Sequence, residues 1–352
     1  MKKKLSIVVV ILGILGICGW GYYQSTPATM DRLVNAIQKK DLKTVKKYLP
    51  EYSNHSKIDK SAYQTFMETD PSRKQIRHFL TDDCQLVNHG MFRSKLWEPQ
   101  KRVISISGLD DVSGTTVTVA NGKQAIPVKN MNHVNLFPGK YQLTLKMNNS
   151  AYGTVKKSEK IDLTKDNQNI VLSPEVSFEK SNRLHQTLIE SFSAFLVSWN
   201  RVIPTMSFNN LPFATSSESK LLNDTYNDLK EVSNSYSNEF DKVTLDNSSV
   251  EIQSYGAQPT VKFTAFVDRK QTLNLDQDQA NNDQDTSIRS NDGTVDVTMV
   301  YSEKSGHWEV DDADFDVGSE NPNEWNDKCS FMIPKGDQQG SWNKSTAGQV
   351  NI

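Results

Sequence analysis

The chain has 352 residues, with 40 Lys and Arg, 42 Asp and Glu and a formal net charge of −2; its mean hydropathy is −0.59. That length allows two or three domains, and the charge balance argues against a nucleic-acid binder coated in Lys and Arg. Low hydropathy argues against a polytopic membrane protein, three cysteines exclude a disulfide-dense scaffold, and 23% charged with 9% aromatic residues argues against wholesale disorder.

The averages hide two asymmetries. Residues 268–352 carry a net charge of −10, and the rest of the chain carries +8. Between Lys4 and Asp31 there is no charged residue. After Met1-Lys2-Lys3-Lys4, the run from Leu5 to Tyr23 is apolar. At about 1.5 Å per residue it extends about 28 Å, one hydrocarbon core. Trp20, Tyr22 and Tyr23 close the run where an aromatic belt would meet headgroups, and the three lysines put the N-terminus inside. The expectation is a cytoplasmic tail at 1–4 and a transmembrane signal anchor at 5–23.

Two alternatives remain at this stage. A cleavable signal peptide needs an A-x-A-like site, and Gln24-Ser25-Thr26-Pro27-Ala28 is a poor one. A lipoprotein signal would modify Cys18, but Ile17 stands where a small residue is needed. All three readings export everything after Tyr23. Outside the cytoplasm, Cys84 and Cys329 become a candidate disulfide; two free thiols are the favoured reading.

A short polar spacer leads into a small helical domain expected at 28–83. Met30, Leu33, Val34 and Ile37 recur at helical spacing. Asp41 reads as an N-cap ahead of Leu42, Val45, Tyr48 and Leu49, with Pro50 as the stop. Ala62, Tyr63, Phe66 and Met67 form a third face, and Ile76, Phe79 and Leu80 a fourth. Asp70-Pro71 reads as the start of that last helix. Residues 24–83 hold 11 basic and 8 acidic side chains, a slight excess suited to an anionic surface or, more simply, a solvated helix exterior.

From Cys84 the apolar period becomes two, and a β-sandwich module is expected at 84–173. Its strands are read at Val103–Ile106, around Val117 and Val119, at 126–128, 134–136 and 141–147, at Val155–Leu163 and at Asn169–Leu172. Asn121-Gly122 is a strong hairpin signal, and Pro138-Gly139 precedes an alternating strand. The Pro-Gly-x-Tyr pattern resembles the turn of immunoglobulin-like and prealbumin-like modules.

An α+β domain is expected at 174–317. Leu184, Leu188, Ile189, Phe192, Phe195, Leu196 and Trp199 make one wide helical stripe, ended by Pro204. A second helix is read over 216–240, with Tyr236 and Phe240 on its inner face. An antiparallel meander follows at 243–253, 260–275, 294–301 and 307–317. Helices followed by a curved sheet form the nuclear-transport-factor-2-like (NTF2-like) arrangement. Residues 318–352 are poor in apolar side chains and read as a mostly disordered tail, with Phe331-Met332-Ile333 as its docking element.

Catalytic signatures are missing. The chain has no G-x-S-x-G elbow, Walker loop, dinucleotide fingerprint, H-E-x-x-H or C-x-x-C pair. His55, His78, His89, His133, His185 and His307 are scattered without ligand spacing, so no metal or cofactor is expected. Ser177 with Lys180, Ser207-Phe208-Asn209 and Lys304-Ser305-Gly306 follow the order found in penicillin-recognising enzymes. Ser217 with Lys220 and Ser341 with Lys344 fit the first element equally, and the span is too short for that fold. Asp276, Asp278, Asp283 and Asp285, and separately Asp312, Asp314 and Asp316, fail the EF-hand pattern at its sixth and twelfth positions. Asp268 and Tyr301 are the titratable groups that would face into an NTF2-like cone. No catalytic, cofactor-binding or metal-ligating residue is assigned.

The order of anchor, helical block with Ala36-Ile37-Gln38-Lys39-Lys40-Asp41, β-module with Phe137-Pro138-Gly139-Lys140-Tyr141, and C-terminal α+β domain resembles the teicoplanin resistance-associated membrane proteins (TcaA-like) of Gram-positive bacteria. Tyr152-Gly153 and Lys157-Ser158 belong to the same likeness. That family usually carries a cytoplasmic zinc ribbon, and here only Met1–Lys4 precede the apolar run. The resemblance implies a non-enzymatic, single-pass protein of the cell envelope, with its C-terminal domains extracellular. Its role would lie in cell-wall homeostasis and the glycopeptide response, through binding wall polymer or an envelope protein. The alternatives are a scaffold subunit of a conjugation or secretion channel, and an envelope enzyme with its site in the cone.

Overall fold

The computed structural model describes residues 25–87, 95–108, 115–120, 125–128, 133–255, 258–276, 287–318 and 320–345. The expected span at 5–23 lies outside the described residues, as do His89, Asn121-Gly122, Asp278, Asp283 and Asp285. Among the described residues no helix is long and apolar enough to cross a membrane. The chain divides into two compact units. One comprises the residues up to Met147 with Lys156–Leu172; the other comprises Asn148–Val155 with Ser173 onward.

Among the described residues the first unit contains α1 (Thr26–Gln38), α2 (Leu42–Tyr48), α3 (Lys60–Glu68) and α4 (Arg73–Asp82). Asp41 caps α2 by accepting from the Thr44 backbone N–H at 3.2 Å. The start of α4 differs from expectation: Ser72, not Asp70, is the N-cap, in a reciprocal capping box with Gln75. Two satisfied donors fix the helix start there, and Asp70 adopts φ 48° in the preceding turn.

The strands that follow among the described residues are β1 (Cys84–Val87), β2 (Leu96–Pro99), β3 (Arg102–Ser107), β4 (Thr116–Ala120), β5 (Ala125–Pro127), β6 (His133–Leu136), β7 (Lys140–Asn149), β8 (Gly153–Asp162) and β9 (Gln168–Val171). β1 and β2 form a two-stranded ribbon; β6-β3-β9 and β5-β4-β7-β8 form two sheets. Alternating side chains such as Ile104, Val117, Val119, Leu143 and Leu145 fill the space between those sheets. Tyr141 folds back on its turn and donates to the Phe137 carbonyl at 2.8 Å. Phe137 itself points into the helices, meeting the rings of Tyr52, Tyr63, Phe66 and Phe79 at 5.3–5.9 Å. Phe137 and Trp97 of β2 thereby complete the core of the helices, beside the separate core between the sheets.

The second unit contains α5 (Pro174–Glu179), α6 (Asn182–Val202), α7 (Ser216–Val232), β10 (Ser233–Asp246), β11 (Glu251–Ser254), β12 (Thr260–Leu275), β13 (Ser287–Ser290), β14 (Gly293–Ser302), β15 (His307–Gly318), β16 (Lys328–Met332) and β17 (Gln339–Asn343). Its sheet runs β15-β14-β12-β10-β16, with β17 also on β10 and with β11 and β13 on β12. Register shifts at Phe240/Lys242 and Thr298/Met299 bend the strands around α6.

Two expectations are corrected. The helix read as 216–240 ends at Val232, and Tyr236 and Phe240 belong to β10. Their spacing of four satisfies a strand's period of two as well as a helix, and Asn238 is buried between them. The low helix propensity of Ser233, Ser235 and Ser237 supports the strand. The tail at 318–352 is also ordered through Ser345. β16 pairs with residues 242–246 of β10 and β17 with 235–239. Backbone pairing and the burial of Ile333 and Trp342 supply what the composition lacked.

The β16–β17 connection crosses the end of α6. Asn200, buried, donates to the carbonyls of Asp337 and Gln338 at 3.1 and 2.7 Å and accepts from Asn238 at 2.9 Å. Gly340 lies so close that a Cβ there would stand 2.4 Å from the Asn200 carbonyl oxygen.

Two substitutions test these packings. Phe137→Ala should cost about 3–5 kcal/mol, measured as a lower urea midpoint for the first unit. Gly340→Ala should cost about 1–3 kcal/mol and speed tryptic cleavage at Lys335, because the clash is with backbone.

Candidate functional site

An NTF2-like cone has room for a site where helices face the concave sheet. Here that space is built from α6, α7, β10, β12 and β15. Trp199 on α6 meets the rings of Phe195, Phe208, Tyr226, Phe240 and Phe315 at 5.5–6.2 Å. Phe208 stacks on Tyr226 at 4.3 Å. Within this aromatic fill runs one polar chain. The Trp199 indole donates to the Tyr226 hydroxyl at 3.1 Å, which donates to Tyr236 at 2.9 Å. Burial pushes the Tyr236 phenol up to about 12 and raises Tyr226 well above the ordinary phenol value. Both phenols therefore stay protonated near neutral pH and act as fixed dipoles, not as acids or bases.

Arg269 is the charged group of the cone. It points inward from β12, buried, with its guanidinium 4.8 Å from the Phe315 ring centre. Its Nε donates to the Asn291 carbonyl at 3.1 Å, and a terminal nitrogen donates to the Phe315 carbonyl at 3.2 Å. Sequence reading passed over Arg269 because its flanks alternate as a strand should. The signal was a cation on the apolar parity of that strand.

The two side chains expected to face into the cone differ. Asp268 lies on the opposite face of β12, paired in register with Lys242; burial, with Asp292 nearby, raises its carboxyl. Tyr301 sits on the core face and packs against Trp308 at 5.5 Å. The Ser and Lys motifs stay apart in role. Ser177 donates to the Ser173 carbonyl, and Ser305 donates to Glu309 across the β14–β15 turn. Among the described residues no hydrogen bond or ion pair joins Ser177, Ser207 and Lys304. Asp276 pairs with Lys344 at 2.6 Å. Cys84 and Cys329 are free thiols, both raised by burial, Cys329 to about 11.

Glu218, 4% exposed, lies in the first turn of α7, beside Asp311 and Asp312 of β15. Burial, with the charges of Asp312 and Asp311, pushes its carboxyl up to about 7. Thr215 caps the helix and also donates to Asp311 at 2.9 Å, tying the start of α7 to β15.

In the first unit, α1 and α2 enclose a cleft of about 360 Å³. Arg32, Lys39 and Lys47 line it with Thr44, Asp41 and Tyr48. The Arg32 guanidinium and the Lys47 ammonium both lie over Tyr48, at 5.9 and 5.7 Å from its ring centre. Asp41 is occupied by Thr44, whose hydroxyl and N–H both donate to it and lower its pKa. The cleft therefore gathers three cationic side chains around Asp41 and Tyr48. The slight basic excess of the sequence hinted at this, but the grouping needs the turn between the helices.

Residues 188–314 match the sequence model of the YvbJ NTF2-like domain family. The second unit thus carries an NTF2-like domain. No curated protein matches the chain. A solved structure, the intermembrane-space region of the chloroplast protein ARC6, is similar at 15% identity over 37% of this chain and 95% of that chain. Its TM-score of 0.29 is too low to carry an argument.

Glu218 gives a test. Its folded pKa lies above the ordinary 4.5, so the folded state holds an extra proton between about pH 4.5 and 7. Stability falls as pH rises through that window, by on the order of 2–3 kcal/mol. Glu218→Gln should leave stability at pH 4 unchanged, raise the melting temperature at pH 8 and flatten the profile between.

Proposed function

We propose that the chain is a membrane-tethered, non-enzymatic envelope protein of the TcaA-like kind, and that it binds an anionic polymer of the cell wall. Residues 5–23 anchor it with the N-terminus cytoplasmic, and both units stand outside the membrane. The observation that carries this reading is the cationic cleft between α1 and α2. α1 begins at Thr26, within a few residues of the apolar run, so the cleft lies in the part of the chain nearest the anchor. Lys39 and Lys47 supply mobile point charges for phosphate oxygens, and Arg32 adds to the positive field beside them. Phosphodiester-rich wall polymer presents the repeating anions that such a cleft accepts.

The NTF2-like domain supports the non-enzymatic part of the reading. Its interior is packed with rings, and its phenols are held protonated. It serves as a rigid exported body on the same anchor. The immunoglobulin-like character of the sandwich belongs to the same proposal.

Binding should follow salt and charge. The full chain, solubilised in neutral detergent, should be retained on teichoic-acid-bearing wall and released as salt rises from 50 to 500 mM. Arg32→Ala with Lys47→Ala should weaken retention by about tenfold or more, since each lost charged hydrogen bond is worth roughly 1.5 kcal/mol or more. Equal retention by wall stripped of teichoic acid, or by the double variant, would sink the polymer reading. Retention by anionic vesicles alone would assign the cleft to lipid headgroups instead.

A further inference from the structure

Glu98 presents an unusual problem in the first unit. It lies on β2 between Trp97 and Pro99 and is only 3% exposed. Among the described residues no hydrogen bond or ion pair reaches its carboxylate. A carboxylate so little exposed and without a donor is a natural partner for a cation.

The neighbours of Glu98 supply the other half. Glu51 and His55 come from the loop after α2, and their ligand atoms and that of Glu98 all lie within 4.8 Å of one another. The Glu51 carboxylate and His55 Nδ1 are 3.2 Å apart. The loop is built to hold them. Glu51 bridges to Lys57, Tyr52 N–H donates to the Ser56 carbonyl, and His55 N–H donates to the Tyr52 carbonyl. Ser53 N–H donates to the Pro99 carbonyl at 2.9 Å, fixing the loop beside the strand that carries Glu98. His55 takes φ 60°, a left-handed conformation that turns it out of the loop's regular path.

We propose that Glu51, His55 and Glu98 form a binding site for one divalent cation of the zinc class. One imidazole nitrogen and two carboxylate oxygens are ligands that zinc takes at about 2.0–2.2 Å. On a tetrahedral ion such ligands stand roughly 3.3–3.6 Å apart, so the Glu51–His55 pair is already at bonding separation and Glu98 has a short distance to close. Water fills the fourth position on the His55 side, where the site opens to solvent. Calcium and magnesium fit poorly, since they need six or more oxygens and gain nothing from a nitrogen. The ion neutralises Glu98 and staples the 51–57 loop to β2. The site is independent of the anion-binding cleft: different residues line it and the charge it takes is opposite.

The test uses the full chain in detergent, stripped of metal with a chelator and titrated with zinc chloride by calorimetry. One equivalent should bind, with a rise in melting temperature, and calcium chloride should give neither. Glu98→Gln and His55→Asn should each weaken zinc binding by about tenfold or more, a loss at least as large as that from disturbing residues that merely support ligands. Asparagine tolerates the left-handed backbone at position 55, so that variant keeps the loop even if Glu98→Gln folds poorly. His78→Asn removes an exposed histidine paired only with Asp82 and should change nothing. Zinc affinity unaltered in both ligand variants, loss on His78→Asn alone, or equal binding of calcium would overturn the proposal.

Discussion

A strand of fourteen residues carries a row of backbone donors and acceptors on each edge, and β10 depends on both rows being met. β12 covers one edge along most of its length. The other edge is divided between β16 and β17, which arrive from far along the chain in separate registers. The register shift at Phe240/Lys242 makes room for the connection between them: Phe240 N–H donates to the Gln338 carbonyl, and Ile333 N–H to that of Asp241. That connection is what Asn200 grips from α6. The inward side chains of β10 then complete the aromatic fill around Trp199. Satisfying one strand edge thus orders the tail, positions a helix and closes the cone.

The two units solve opposite electrostatic problems. The second buries Arg269 among aromatic rings and carbonyls, and sets Glu218 beside Asp311 and Asp312. Burial first, and those two charges after it, raise the Glu218 carboxyl. The first unit gathers cations over Tyr48, where an aromatic face and the alkyl stems of Arg32 and Lys47 hold charges close together. The sequence divides into a basic three-quarters and an acidic remainder, and the charge boundary falls inside the second unit.

Much of the fold was legible. Helical stripes such as Ile76, Phe79 and Leu80, and alternating runs such as Tyr141, Leu143 and Leu145, point one way because each local period agrees with the burial that the fold demands. The NTF2-like domain followed from helices preceding a long meander. The failures came where periods coincide or where partners are distant. Tyr236 and Phe240 suit a helix or a strand, so the boundary at Val232 was missed. Residues 328–343 are too polar to build a core themselves, but β10 offered them an edge. The Glu51, His55 and Glu98 cluster left no trace in spacing, because two ligands share a loop and the third sits on a strand beyond two further helices. Its only mark in the folded chain is a carboxylate buried without a donor.

The late arrival of β16 and β17 bears on how the second unit is made. Tyr236 is synthesised roughly 100 residues before its partner Trp342, an interval of several seconds at about 5–20 residues per second. During that time α6, α7 and the meander can assemble, but one edge of β10 stays open. An open edge of that length is a template for any extended segment nearby. The nascent unit therefore passes through a state that is sticky by construction, and the final strands act as its own sealing edge.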